Sequence, residues 1–243
     1  MFMKTLSIII PCFNEEKNLP KLFFALKEYV NSQNKFELEI VFINDGSTDQ
    51  THFLIEQFIR DYSYLMRQIS YNQNKGKGFA VRKGMLEAKG DWRVFLDADL
   101  AVSLDQIEKI NPYIDNINNI IIGSRVSSSS QIAVSQNAIR QYFGKVFTSL
   151  ANIVTGLRIS DFTCGFKCFS KEATEKIFPN TKINHWTFDA EVLCLARRYN
   201  FDIQEVGVVW RNGSDSKVRI GKDIVGSFID LLKIRFIHRN IWK

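Results

Sequence analysis

Five short apolar runs, none with the polar alternation of a half-exposed strand, dominate the first half of this chain. They are Leu6–Ile10, Leu38–Ile43, Met66–Tyr71, Trp92–Leu96 and Ile120–Ile122. Strands that read as continuous hydrophobic stretches belong to sheets covered on both faces, and those sheets are mostly parallel. The intervening segments carry helical periodicity at Glu15–Val30, Asp49–Asp61, Phe79–Ala88 and Leu104–Tyr113. Strand–helix alternation of this kind predicts an α/β fold: a mostly parallel open sheet with helices on both faces and a Rossmann-like first half.

The second half changes character. Gln136–Leu157 reads as one long amphipathic helix, with Ile139, Phe143, Val146, Phe147, Leu150, Val154 and Leu157 sharing a face. Shorter elements follow at Phe166–Phe169 and Ile203–Trp210, with a helix near Phe188–Tyr199. A helical segment from Lys222 to about His238 closes the chain. It sets Val225, Phe228, Ile229, Leu232 and Phe236 against Asp223, Ser227 and Asp230, and Lys222, Lys233, Arg235, His238 and Arg239 add charge. Such a stripe either packs on its own core or lies on an anionic membrane. The chain has 243 residues and no Pro/Gly-rich linker, so one continuous domain over 1–243 is expected.

Cys12, Cys164, Cys168 and Cys194 are too few for a disulfide framework, and with three scattered histidines they make no zinc pattern. Neither a signal peptide nor an apolar run of membrane-spanning length is read. The expectation is reduced thiols and a cytoplasmic setting, with peripheral attachment to the cytoplasmic face of a membrane kept open. The formal net charge of +6 fits plain solubility, an anionic substrate, a membrane surface or nucleic acid. No recognised nucleic-acid module accompanies it. Walker and Gly-x-Ser-x-Gly motifs are missing, which argues against an ATPase and a serine hydrolase.

Open α/β sheets bind ligands beyond the carboxyl ends of their strands. Pro11-Cys-Phe-Asn14-Glu15 follows the first run, Asn44-Asp45-Gly46-Ser47-Thr48-Asp49 the second and Asn74-Lys75-Gly76-Lys77-Gly78 the third. The fourth ends in Asp97-Ala98-Asp99 and the fifth in Gly123-Ser124-Arg125. Polar, charged and glycine residues thus gather at one end of every strand. Asp97 and Asp99 project to one side of an extended chain. They repel unless a cation sits beside them, and Mg2+ or Mn2+ supplies that charge while bridging to phosphates. A solvated turn capped by Asp99 is the plainer alternative. Asn74–Gly78 also resembles a dinucleotide fingerprint, but Val81 holds the place of the third glycine. Lys75 and Lys77 suit a phosphate or a solvated loop. Arg125 and Arg140 flank Ser127–Ser130, where their planar forks suit a phosphate or simply face solvent.

As a set, Pro11-x-x-Asn14-Glu15, Asn44-Asp45-Gly46-Ser47-x-Asp49, Asn74-x-Gly76-x-Gly78 and Asp97-Ala98-Asp99 resemble family 2 glycosyltransferases of the GT-A fold. Asp161-x-x-Cys164-Gly165-Phe166-Lys167 and Trp186-x-Phe188-Asp189-x-Glu191 are similar to the dolichyl-phosphate β-glucosyltransferase branch, to which polyprenyl-phosphate mannose synthases are close. The resemblance covers about residues 5–223. It implies inverting transfer of a hexose from a nucleotide sugar, UDP-glucose first, to a polyprenyl phosphate. A mannose synthase, or a soluble enzyme acting on a glycan hydroxyl, is the alternative. Asp45 is implied at the base, with Pro11, Asn14 and Glu15 lining the same pocket and Lys75, Gly76, Lys77 and Asp97 at the nucleotide sugar. Asp99 is implied at the divalent metal, Arg125 and Arg140 at the acceptor phosphate, and Asp189 and Glu191 on the sugar side. Asp189 is the first candidate base should the acceptor be a hydroxyl. Residues 5–125 would form the nucleotide-sugar half, 126–221 the acceptor half and 222–243 the terminal helix. Eukaryotic members carry an N-terminal membrane anchor, whereas this sequence starts at its first strand.

Overall fold

The apolar runs form the middle of a sheet. In the computed structural model, which describes residues 3–114, 119–126, 130–132, 138–211 and 222–239, β1 (Lys4–Cys12) lies between β2 (Phe36–Asp45) and β4 (Trp92–Leu96), and β3 (Met66–Tyr71) pairs on the far side of β2. Side chains are described for all of these residues except 119, 131–132, 138–141 and 222–225. β5 (Asn119–Ser124), β7 (Phe166–Ser170) and β8 (Asp202–Gly207) complete a seven-stranded sheet of order β3-β2-β1-β4-β7-β5-β8. β6 (Gln131–Ile132) pairs separately with β9 (Val209–Trp210).

Six strands of the large sheet are parallel. β7 alone runs backwards, antiparallel to both β4 and β5. Its N-terminal end therefore lies at the edge where the other six strands finish, with Phe166 opposite Leu96. The short Phe166–Phe169 element of the sequence is thus the strand that joins the two halves of the sheet.

Alternate residues feed two cores. Leu6, Ile8 and Ile10 pack with α1 (Leu19–Ser32), α2 (Thr51–Ile59) and the 3-10 helix Leu104–Tyr113, while Ile9, Val41 and Ile43 face α3 (Lys77–Glu87). On that second face lie also α4 (Ala138–Thr155), α5 (Lys171–Ile177), α6 (Phe188–Arg198) and α7 (Lys222–Ile237).

Some boundaries differ from the sequence reading, for identifiable reasons. The first helix starts at Leu19 and not at Glu15, because Asn14 takes a left-handed φ of 52° and Glu15 O accepts Asn18 N in a turn. Leu104–Tyr113 is a 3-10 helix containing Pro112, which has no N–H to give. α5 escaped the periodicity because it is only two turns long; Ser170 Oγ caps it by accepting Ala173 N. The Ile203–Trp210 strand breaks at Val208, whose N–H goes to Ser124 O. Residues 127–129 of the serine loop lie outside the described residues.

Candidate active site

The loops beyond β1 and β2 are stitched together by their own motif side chains. Asn14 Oδ1 accepts Thr48 N (2.8 Å), Ser47 Oγ accepts Asn14 N and Thr51 Oγ1 accepts Glu15 N. Asn44 Oδ1 accepts Ser47 N, and Asp49 Oδ2 accepts Glu16 N. Much of the Asn-Glu and Asn-Asp-Gly-Ser-x-Asp signature therefore builds the wall of the site. Pro11 is half-buried at the end of β1, beside Ile43 of β2.

Asp45 ends β2, almost fully buried, and gathers the third loop. Its carboxylate accepts Lys75 N (2.8 Å), Gly76 N (2.9 Å) and Asn74 Nδ2 (3.0 Å). Tyr71, paired with Asp45 across β2 and β3, also faces this carboxylate: burial first, then Asp45, pushes its phenol pKa up. Gly76 has φ +95°, and a Cβ there would stand 2.5 Å from Asn184 O, while one at Gly78 would stand 2.6 Å from both Ile183 O and Phe188 Cβ. Phe79 N donates to Asn184 O. The two glycines thus let α3 press onto the 183–188 loop of the second half, a role unlike that in a dinucleotide fingerprint. Lys75 Nζ lies over the rings of Phe79 (4.7 Å) and Tyr71 (5.5 Å).

Lys77 opens α3 and sits among carboxylates. Its Nζ is 2.6 Å from Asp97 Oδ1 and 5.4 Å from the centroid of the Trp186 ring. Burial alone would lower its pKa; Asp97, Asp189 and Asp99 overcome that and hold the ammonium above the ordinary lysine value. Asp99 Oδ1 accepts Ala101 N (2.9 Å). Burial first, then the charge of Asp97, holds Asp99 above the usual carboxylate range; Glu15 pushes the same way, against Ala101 N–H and Lys77. Leu100, between this pair and the chain that follows, takes a left-handed φ of 53°. Because β7 runs backwards, Gly165 arrives directly against Asp97. A Cβ there would run into Asp97 Oδ2 and stand 2.6 Å from Cγ.

Behind this edge lies a fully buried lysine. Lys167 on β7 donates from Nζ to Asp189 Oδ1 (2.6 Å) and to Cys164 O (2.7 Å). Burial pushes the Asp189 carboxyl up against the pull of Lys167 and Lys77. Lys167, Asp189, Lys77 and Asp97 thus alternate in charge from the core to the open edge. In the sequence Lys167 stands out only as part of the Cys164-Gly165-Phe166-Lys167 motif. Its own signal was a lysine inside the otherwise apolar Phe166–Phe169 strand, where only a partnered charge survives.

Arg125 follows β5. Its Nε donates to Asp161 Oδ2 (2.7 Å), and its Nη2 to Asp161 Oδ1 (2.8 Å) and Thr163 Oγ1 (2.7 Å), leaving Nη1 to carry the remaining two N–H groups. Burial opposes its charge, but Asp161 raises its pKa overall, and Asp97 adds to that at longer range. Arg140 is on the first turn of α4, and its side chain lies outside those described. Glu191 is a correction: it does not line an open cleft. It is fully buried, accepts Lys182 N and Ile183 N, and stands 2.7 Å from His238 Nε2 beyond α7.

Among the described residues no group of three His, Cys, Asp or Glu side chains could hold a metal unaided. Asp97 and Asp99 nevertheless fit one. They are hard-oxygen ligands, the carboxyl of Asp99 held up by burial and by the charge of Asp97, and Mg2+ and Mn2+ complete their coordination from water and phosphate oxygens.

Comparison with known proteins agrees with this arrangement. The family model described as Glycosyl transferase family 2 matches residues 7–178. A dolichyl-phosphate beta-glucosyltransferase of Trichomonas vaginalis is 34% identical, over 97% of this chain and 75% of that protein. The enzyme of that name from Saccharomyces cerevisiae is 32% identical over 96% of this chain and 75% of its own length, and the human one 29% over 91% and 74%. Among solved structures, glucosyl-3-phosphoglycerate synthase from Mycobacterium tuberculosis, in complex with Mn2+, UDP-Glc and glycerol 3-phosphate, gives a TM-score of 0.72 at 16% identity, covering 95% of this chain and 80% of that one. That likeness shows the fold to be GT-A. With its motif loops meeting where the parallel strands end, and matched over most of its length, the chain belongs to glycosyl transferase family 2.

Proposed function

We propose that this protein transfers glucose from UDP-glucose to a polyprenyl phosphate of the dolichyl type, with inversion, at the cytoplasmic face of a membrane. The observation that carries the reading is likeness to dolichyl-phosphate beta-glucosyltransferases across 97% of the chain. Residues 5–125 are assigned to the nucleotide-sugar half and 126–221 to the acceptor half, followed by the terminal segment 222–243, which is helical over Lys222–Ile237. No helix among the described residues is long and apolar enough to cross a membrane.

In this reading Asp45 lies at the base, and Pro11, Asn14 and Glu15 wall the same pocket. Lys75, Gly76 and Lys77 lie along the diphosphate. Asp99, with Asp97 beside it, would hold Mg2+ or Mn2+, whose chemistry there is to take up negative charge on the departing diphosphate. The same metal and UDP-Glc are present in the crystal of the M. tuberculosis enzyme.

An acceptor phosphate oxygen attacks the anomeric carbon from the face opposite the diphosphate. The bond to UDP breaks as the new C–O bond forms, which inverts the configuration. A phosphate is already anionic at neutral pH, so the nucleophile needs no base. Catalysis is then positioning and charge stabilisation. Lys77 brings positive charge to the edge where the leaving group departs. Arg125, held by Asp161, and Arg140 offset the repulsion between acceptor and donor phosphates.

The test separates donor from acceptor. Arg125→Ala and Arg140→Ala each remove a charge-assisted contact of about 1.5–3 kcal/mol, so kcat/KM for polyprenyl phosphate should fall about ten- to a hundredfold. UDP affinity by calorimetry should stay nearly unchanged. Normal lipid-phosphate kinetics in both variants, or loss of UDP binding instead, would overturn the acceptor assignment.

A further inference from the structure

α4 and α7 carry apolar side chains that are exposed among the described residues. Tyr142, Leu150 and Ile153 are exposed on α4, Ile153 by 72%; Ile229, Leu232 and Phe236 are exposed on α7, Phe236 by 77%. The two helices pack together through Phe147 and Phe228, whose ring centroids are 6.1 Å apart.

Successive residues turn by about 100° around a helix, and this fixes where the stripes lie. Going round α4 from Phe147 in one direction leads to Ala151 and Thr155, both buried; the other leads to Leu150, Val146, Ile153 and Tyr142. Going round α7 from Phe228 in one direction leads to Leu231 and Ile234, both buried; the other leads to Leu232, Phe236 and Ile229. On each helix the exposed stripe begins where the contact with the other helix ends, on the side away from the core. The stripes therefore flank one seam on its outer side as a single apolar ridge.

Among the described side chains the charge beside the ridge is mainly positive. Lys145, Lys233, Arg235 and Arg239 are exposed on these helices and the residues just beyond. Asp230 is the one acid among their described side chains, and it pairs with Lys233 at 3.0 Å. Apolar stripes edged by lysine and arginine are the pattern of a surface that settles into anionic lipid at headgroup depth. The inner face of α7 is meanwhile fixed by Leu231, Ile234 and the His238–Glu191 contact. The ridge is thus a rigid part of the fold.

We infer that the α4–α7 ridge docks the protein on an anionic bilayer, with the aliphatic and aromatic side chains inserted and the cations at the lipid phosphates. The inference rests on the reading of the acceptor as a polyprenyl phosphate, which resides in a bilayer. It adds the face by which the enzyme reaches that acceptor: α4, whose first turn carries Arg140, runs from the acceptor half into the ridge.

The experiment is flotation of the full chain with vesicles of phosphatidylcholine alone or of phosphatidylcholine with phosphatidylserine. The chain should float with the anionic vesicles. Leu232→Ser combined with Phe236→Ser, and separately Ile153→Ser on the other helix, should weaken that binding at least about tenfold. Both variants should keep the parent melting temperature and the parent rate with a short, water-soluble isoprenyl phosphate. Failure of the parent to float, or equal flotation of the variants, overturns the inference. So does a dimer in sedimentation that the substitutions dissolve while vesicle binding persists, since a second copy would then cover the ridge. The acceptor reading fails separately: flotation through the ridge with no transfer to any isoprenyl phosphate refutes the acceptor and leaves the docking surface standing.

Discussion

Replacing Lys167 with methionine isolates what the buried charges at this site cost. The lysine side chain is fully buried and its ammonium bonds to Asp189 and Cys164 O. Methionine fills similar volume, so little packing is lost and the main effect is an unpaired Asp189 carboxylate in the core. Breaking a buried pair from one side costs about 3–5 kcal/mol, whereas replacing both partners by apolar groups is close to neutral. Lys167→Met should therefore lower stability by about that amount, and Lys167→Met with Asp189→Leu should recover most of it. The deficit should also depend on pH. Burial already raises the Asp189 pKa in the folded state, and removing Lys167 raises it further. The folded variant then binds this proton more tightly than its unfolded chain does, so its stability falls as pH rises. Relative to the parent, the deficit should be small below the unfolded value of about 4, grow as pH rises through the folded pKa, and be complete above it. Urea denaturation at matched m-values across this range measures it. A deficit under about 1 kcal/mol at neutral pH, one independent of pH, or a double variant as unstable as the sum of the singles would refute the reasoning.

Gly165→Ala should displace Asp97 and lower kcat/KM about a hundredfold, because misplacement by an ångström costs that much. The melting temperature should move by no more than about 3 °C, since the group that must yield is a partly exposed carboxylate. Glu191→Ala strands the Lys182 and Ile183 amides and should cost about 2–4 kcal/mol in urea denaturation, an unsatisfied buried donor being worth about 1–3. Ending the chain before Lys222 strips Leu231 and Ile234 from the core at about 1.5–3 kcal/mol each. Scanning calorimetry should then show a lowered or lost transition, and for that reason point substitutions are the cleaner probe of the ridge.

The sheet was legible in the sequence because near-continuous apolar runs such as Leu6–Ile10 have few other uses. The strand ends that carry the site were legible for the same reason: polar residues collected wherever a run stopped. The interior of the site was harder to read. Nothing local says that β7 runs backwards, and only that reversal brings Gly165 to Asp97 and Lys167 to Asp189. That Gly76 and Gly78 also admit the 183–188 backbone was not legible, since a glycine that admits a phosphate and one that admits a backbone leave the same mark. Glu191 shares a helix turn with Asp189, yet it faces His238, a partner 47 positions on. The terminal helix posed a choice between core and membrane; the structure buries Leu231 and Ile234 and leaves Leu232 and Phe236 exposed, and the membrane side rests on the inference above. Its buried positions, Leu231 and Ile234, are not those of the stripe first read from the sequence.

The central claim is tested most directly by following the sugar. Radiolabelled UDP-glucose is incubated with the full chain, polyprenyl phosphate and Mn2+, and the product is partitioned into an organic phase. The account expects label in the lipid phase, released by mild acid as glucose. That transfer should be abolished by EDTA and lowered about a hundred- to a thousandfold by Asp99→Ala, the loss expected when charge stabilisation of a departing group is removed. Label that stays in the aqueous phase and appears on a soluble glycan, or full lipid transfer with the metal removed and Asp99 replaced, would contradict it.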